Sequence, residues 1–196
     1  MELAKIKGKK QVVAGSVVTL QPVAKTAEEI QQLLPRYSII LAEAIEETGY
    51  LNESQGIRGW YKLRIIDVLI QTPPQQAYAV RRVPEQLLPL NDDQFVLPRD
   101  GGSVIIDGVE VIQNNLTIPR LKISKKYLLL LSFDASTKIA EIVLGPQSIL
   151  PVNSDNSLDT HSDNHILQQV IKRFHNGSLD QLKRNVHRQV SYPRLT

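Results

Sequence analysis

The 196-residue chain contains no cysteine. That absence excludes a disulfide scaffold, cysteine-ligated zinc, thiol catalysis and iron–sulfur chemistry. It leaves the redox compartment open, because a cysteine-free chain is stable in either setting. Aromatic residues make up only 5% of the chain, few for a surface that would stack on exposed bases. No apolar run approaches the roughly 18 residues needed to span a membrane as a helix. Gly-x-Ser-x-Gly, a phosphate-cradling glycine loop ending in Lys-Ser or Lys-Thr, and a dinucleotide fingerprint are all missing. There is no internal repeat and no low-complexity segment. What remains is a globular composition, 42% hydrophobic and 22% charged, which can build a core without metal or crosslink.

The net charge of +3 is unevenly spread. Residues 1–25 carry five lysines against Glu2, and residues 165–196 carry six Lys or Arg against Asp180. Between them, residues 26–164 carry 12 basic and 18 acidic groups. A mildly acidic body thus lies between two basic ends. Such ends either meet an anionic partner or are simply solvated or folded back on the body. Neither end has a block of five like charges, which favours the second reading. The amino-terminal lysines are followed by short apolar pieces broken by Gly15 and Ser16, so no signal peptide is read there. Extracytoplasmic placement is expected only if such a peptide has already been removed.

The fold class expected is mainly β. TAEEIQQLL, 26–34, reads as one early helix, with Thr26 and Glu29 in capping-box spacing and Pro35 as its stop. YSIILAEAIEE, 37–47, and WYKLRIIDVLI, 60–70, alternate at period two and read as strands. AYAVRRV, 77–83, is a short strand candidate, and PEQLLPLNDD, 84–93, is irregular. In SVIIDGVEVI, 103–112, Asp107-Gly108 between β-branched runs predicts a two-residue type I′ hairpin. KKYLLLLSF, 125–133, and KIAEIVLG, 138–145, predict another, and four consecutive leucines fit a strand buried on both faces. The layout is then a basic segment over 1–25 and an antiparallel OB-like barrel of about five to seven strands over 26–150. A polar linker, 151–164, and an amphipathic helical extension, 165–196, follow. In that extension Gly177 separates two short helices.

The order of these elements resembles a known pattern. TAEEIQQLL leads into YSIILAEAIEETGYLNESQGI, then WYKLRIIDVLI, DGGSVIIDGVEVI, YLLLLSF and a final strand ending LGPQS. This run, about 26 to 150, resembles bacterial extracytoplasmic proteins of unknown function. More distantly it is similar to the netrin-like module of tissue inhibitors of metalloproteinases, an OB-like five-stranded barrel with flanking helices. The resemblance implies a binding scaffold, exported, with no catalytic site. Protease inhibition does not carry over, since it depends on an amino-terminal cysteine. Ser124 also stands where the bacterial pattern has glycine.

The function expected is a non-enzymatic binding or protein-interaction module without cofactor. Leu179, Leu182, Val186 and Val190 repeat at helical spacing, edged by Lys183, Arg184 and Arg188. This stripe is the candidate surface for a protein partner or for self-association, because helices this short must dock on the barrel or on another chain. The alternative is a single-stranded nucleic-acid-binding OB-like protein using Trp60, Lys62, Arg64, Arg81 and Arg82. Core packing of Trp60 and Tyr61 at the strand entry is the plainer role for those rings. A third reading, a metal-dependent enzyme, would use Asp159, His161, Asp163 and His165. A polar linker that caps the next helix accounts for the same residues. Asp92, Asp93 and Asp100 with Arg99 make a charged loop with no sign of a pocket. His175 and His187 are expected to face solvent or the barrel.

Overall fold

The computed structural model describes residues 11–17, 26–52, 56–72, 83–115, 119–155, 157 and 166–191. A strand, β1 (Gln11–Val17), comes first. Helix α1 (Ala27–Leu33) follows and starts where its capping box places it. The Thr26 hydroxyl accepts from the Glu29 amide, and the Glu29 carboxylate accepts from the Thr26 amide, each at 3.2 Å. These two bonds satisfy donors that the first helical turn leaves open. A 3-10 turn carrying Pro35 ends the helix.

Two fifteen-residue strands, β2 (Ser38–Asn52) and β3 (Gly56–Ile70), then pair antiparallel from Ile39↔Ile70 to Asn52↔Gly56. The remaining strands are β4 (Gln94–Asp100), β5 (Gly102–Ile106), β6 (Val109–Asn115), β7 (Lys126–Asp134), β8 (Ile139–Ile142) and β9 (Ile149–Val152). Helices α2 (Ile166–Phe174) and α3 (Leu179–Ser191) close the order.

The chain is mainly β, and five strands close into a barrel in the order β2-β3-β4-β8-β7, sealed by β2 on β7. The expected barrel is present, with one departure from antiparallel pairing. Successive neighbours alternate direction, and five is odd, so one seam must be parallel. That seam is β4 on β8, at Val96↔Ile139, with the Val96 amide donating to the Lys138 carbonyl at 2.9 Å. β9 lies against the first half of β7 and takes Pro151 and Val152 out of the expected linker. The strand candidate at 77–83 falls almost wholly outside the described residues.

β7 separates two cores, as its run of leucines requires. Leu129 and Leu131 point into the barrel among Ile40, Tyr61, Leu63 and Phe95. Phe95 and Phe133 meet there edge to face, with centroids 5.5 Å apart. Leu128 and Leu130 point outward, into a second core with Ile30 of α1, Val170 and Ile171 of α2, and Leu182 of α3. The three helices thus cover one side of the barrel. The turn between α2 and α3 is built as the sequence indicates. Asn176 and Gly177 have φ of 51° and 70°, and the His175 and Gly177 amides both donate to the Ile171 carbonyl at 3.0 Å.

The β5–β6 hairpin turns on Asp107 and Gly108, with φ of 51° and 77°. A Cβ at Gly108 would meet nothing within 4 Å, so a side chain there costs backbone strain alone. Gly108→Val is expected to lose about 1–2 kcal/mol in urea denaturation, and Gly108→Asn only a fraction of that. Equal losses for the two would show that the turn is not held at positive φ.

Candidate interaction surface

The barrel strand proposed for nucleic acid does not present its aromatic. Trp60 is 4% exposed and packs with Leu87 and Val96 in a third, small core. The two basic residues after it point outward, but each lies beside a carboxylate. Lys62 sits 4.0 Å from Glu46 and donates to the Pro89 carbonyl at 3.3 Å. Arg64 pairs with Glu43, directly across the strand pair. Arg81 and Arg82 lie outside the described residues.

The C-terminal stripe is in large part used internally. Leu182 is fully buried in the core beneath the helices, and Leu179 packs half-buried at its edge. Lys183 donates to Asp67 of β3 at 2.5 Å. Arg184 turns along its own helix and donates to the Gln181 side chain at 2.9 Å. The side chains of Val186, Arg188 and Val190 lie outside what the structure describes, as does that of His187. Of the two docking options open to the sequence, Leu182 takes the barrel.

The run from Asp159 to His165 also lies outside the described residues, and among the described ones no cluster of metal-ligating groups forms. The charged loop near residue 92 is taken apart: Asp92 pairs with Lys138 at 3.3 Å, and Asp100 with Arg58. Arg99 goes inward, 5% exposed.

Arg99 anchors a polar knot at one barrel mouth that the sequence did not announce. Its guanidinium donates to the Tyr61 hydroxyl at 2.6 Å and lies over that ring. The same oxygen accepts from the Leu121 amide at 3.1 Å, and the Tyr127 hydroxyl accepts from the Lys122 amide at 2.7 Å. Two phenol oxygens thus pin residues 121–122 across the mouth, and Leu121 plugs it. Burial raises the pKa of both phenols, with Arg99 opposing the rise at Tyr61. Glu47 accepts from Arg120 at 2.9 Å, and Arg120 reaches Ser103 of β5 at 3.4 Å. Burial works against the Arg120 charge, but Glu47 more than offsets it and lifts the pKa. Leu121 and this knot close one mouth of the barrel, and Arg120 ties strand β5 to its rim.

Beyond that rim lies a separate three-stranded sheet, β1-β6-β5. β1 runs parallel to β6, with a bulge between Val13 and Gly15. The sheet crosses β2 and β3 where glycines let backbones touch. A Cβ on Gly49 would overlap the Ser103 carbonyl, and one on Gly59 would come within 2.8 Å of the Gly101 oxygen. The Ile57 amide donates to the Gln113 side chain at 2.6 Å. Pairing register puts Val104 with Val111 and Ile106 with Val109 on one face, and Ile105, Ile112 and Val13 on the other. Among the described residues none of these seven joins the three cores, although Val104, Ile106, Val109, Val111 and Ile112 are half-buried. Ile105 is 77% exposed and Val13 59%. The chain matches no family model, no curated protein and no solved structure. β-Branched alternation at 103–112 signalled the hairpin, but alternation alone does not say which face a domain leaves uncovered.

Proposed function

We propose that the chain is a non-enzymatic protein-interaction module that docks through the β1-β6-β5 sheet, with a second copy of itself as the occupant. The observation that carries this reading is the exposure of Ile105 and Val13 on the same face of that sheet as half-buried Ile112. Exposed aliphatic residues gathered on one sheet face mark association surfaces. Arg120 at the edge of this face is engaged within the chain by Glu47, so the apolar residues are what a two-fold contact would join, each patch meeting its own copy. Single-stranded nucleic acid has less support, because Trp60 is buried and Lys62 and Arg64 lie beside carboxylates.

Ile105→Glu tests the reading. The residue is so exposed that monomer stability should change by less than about 0.5 kcal/mol. Sedimentation equilibrium is expected to show concentration-dependent dimers for wild type and monomers for the variant. A wild type that stays monomeric throughout, or a variant that dimerises equally well, overturns the proposal.

A further inference from the structure

Three helices meet at His175, which is 2% exposed. Its Nε2 lies 3.2 Å from Gln31 Oε1 of α1, and its Nδ1 lies 3.2 Å from Asn185 Nδ2 of α3. Amide and imidazole orientations follow from the whole network they join, and here one end of the network is a pure donor. Arg184 donates to Gln181 Oε1 at 2.9 Å, and a guanidinium has no acceptor to offer. Gln181 must then present its nitrogen, which donates to Asn185 Oδ1 at 2.8 Å. Asn185 in turn presents its own nitrogen to His175 Nδ1. That ring atom must accept, so the proton sits on Nε2 and is donated to Gln31. In this arrangement the polarity runs one way from Arg184 to Gln31 and suits a neutral imidazole.

We infer that docking of α3 onto α1 and α2 is proton-controlled: the chain Arg184–Gln181–Asn185–His175–Gln31 holds α3 while His175 is neutral, and protonation at Nδ1 releases it. A proton on Nδ1 would face the Asn185 amide donor. Turning that amide over would set its nitrogen against the Gln181 nitrogen and give up the 2.8 Å bond between them. The charged groups on the surrounding elements do not rescue the cation. On α1, Glu28 pairs with Arg173 and Glu29 closes the capping box. On α2 the nearby charges are Lys172 and Arg173, both positive. On α3, Lys183 pairs with Asp67 of β3, Arg184 is itself a cation, and Asp180 is exposed in the first turn. Burial lowers the pKa of His175 from its ordinary 6.5. The sign follows: the contribution is complete above pH 6.5, and is lost as pH falls toward the folded-state value. Release would uncover Leu182 and Leu179. This inference is independent of the sheet.

Hydrogen exchange of the full chain between pH 7.5 and 5, corrected for intrinsic chemistry, reads the release. In wild type, protection of residues 179–191 relative to β7 should fall by about tenfold per pH unit once the pH is below the ordinary histidine range, the slope of one proton. His175→Gln keeps a donor and an acceptor but cannot titrate, so its profile should be flat. Asn185→Asp replaces the opposing donor with an acceptor, which welcomes the proton and should move release to lower pH. If α3 stays protected in wild type at pH 5, the inference fails. It fails equally if His175→Gln follows the wild-type curve. Should His175→Gln not fold, the Asn185→Asp profile decides alone, and a curve unchanged from wild type overturns the inference.

Discussion

Leu182→Asp is expected to undo the helical side of the molecule. Leu182 is fully buried between α1, α2 and the outer face of β7. Truncating such a leucine to alanine costs about 2–5 kcal/mol. An aspartate adds the desolvation of a carboxylate among the apolar side chains of this core. Urea denaturation should therefore show a loss at or beyond the top of that range, with Leu182→Ala in between. Far-UV circular dichroism should show helix signal lost first. A variant as stable as wild type would mean that α3 does not pack as described. The stripe is amphipathic in sequence whether it docks inside or outside, and only the packing partner separates the two.

The second large effect is expected at Gly49. Its Cα faces the Ser103 carbonyl so closely that any side chain would overlap it. The obstacle is backbone, so no rotamer relieves the clash. Gly49→Val is expected to cost about 3 kcal/mol, the upper part of the range for overpacking, and to lift β5 from β2. Exchange protection should drop in β5 and β6 while β7 keeps its own. Because the proposed docking sheet hangs on this crossing, dimerisation should weaken as well. If protection in β5 and β6 is unchanged, the glycine contact does not position the sheet.

Much of the fold could be read locally. The capping box at Thr26, the Asp107-Gly108 turn and the two-faced leucine strand each encode their own geometry. The elements that sequence reading missed depend on distant partners. β4 contains Pro98 and ends in charge, and it is a strand because Tyr61 and Leu63 of β3 pair with Leu97 and Phe95. β1 reads as part of a basic segment, and its described strand pairing is to β6, nearly 100 residues later. β9 hides in the start of the expected linker. Trp60 was legible as a core residue at its strand entry, and Leu182 as an apolar anchor whose partner, barrel or second chain, the sequence left open. Arg99 gave no signal, since a charged residue beside Asp100 reads as solvated until the barrel closes round Tyr61.

The closing seams also set when the chain can become whole during synthesis. β2 needs β7 on its far edge, and β4 needs β8, so strands made early wait for residues up to Ile142. Chains emerge from the amino terminus at roughly 5–20 residues per second. The β2–β3 hairpin therefore spends seconds outside the ribosome with Ile40, Leu63 and its open strand edges uncovered. Contacts between such distant segments also slow the final closure. The nascent chain is consequently most exposed to misassociation in that interval.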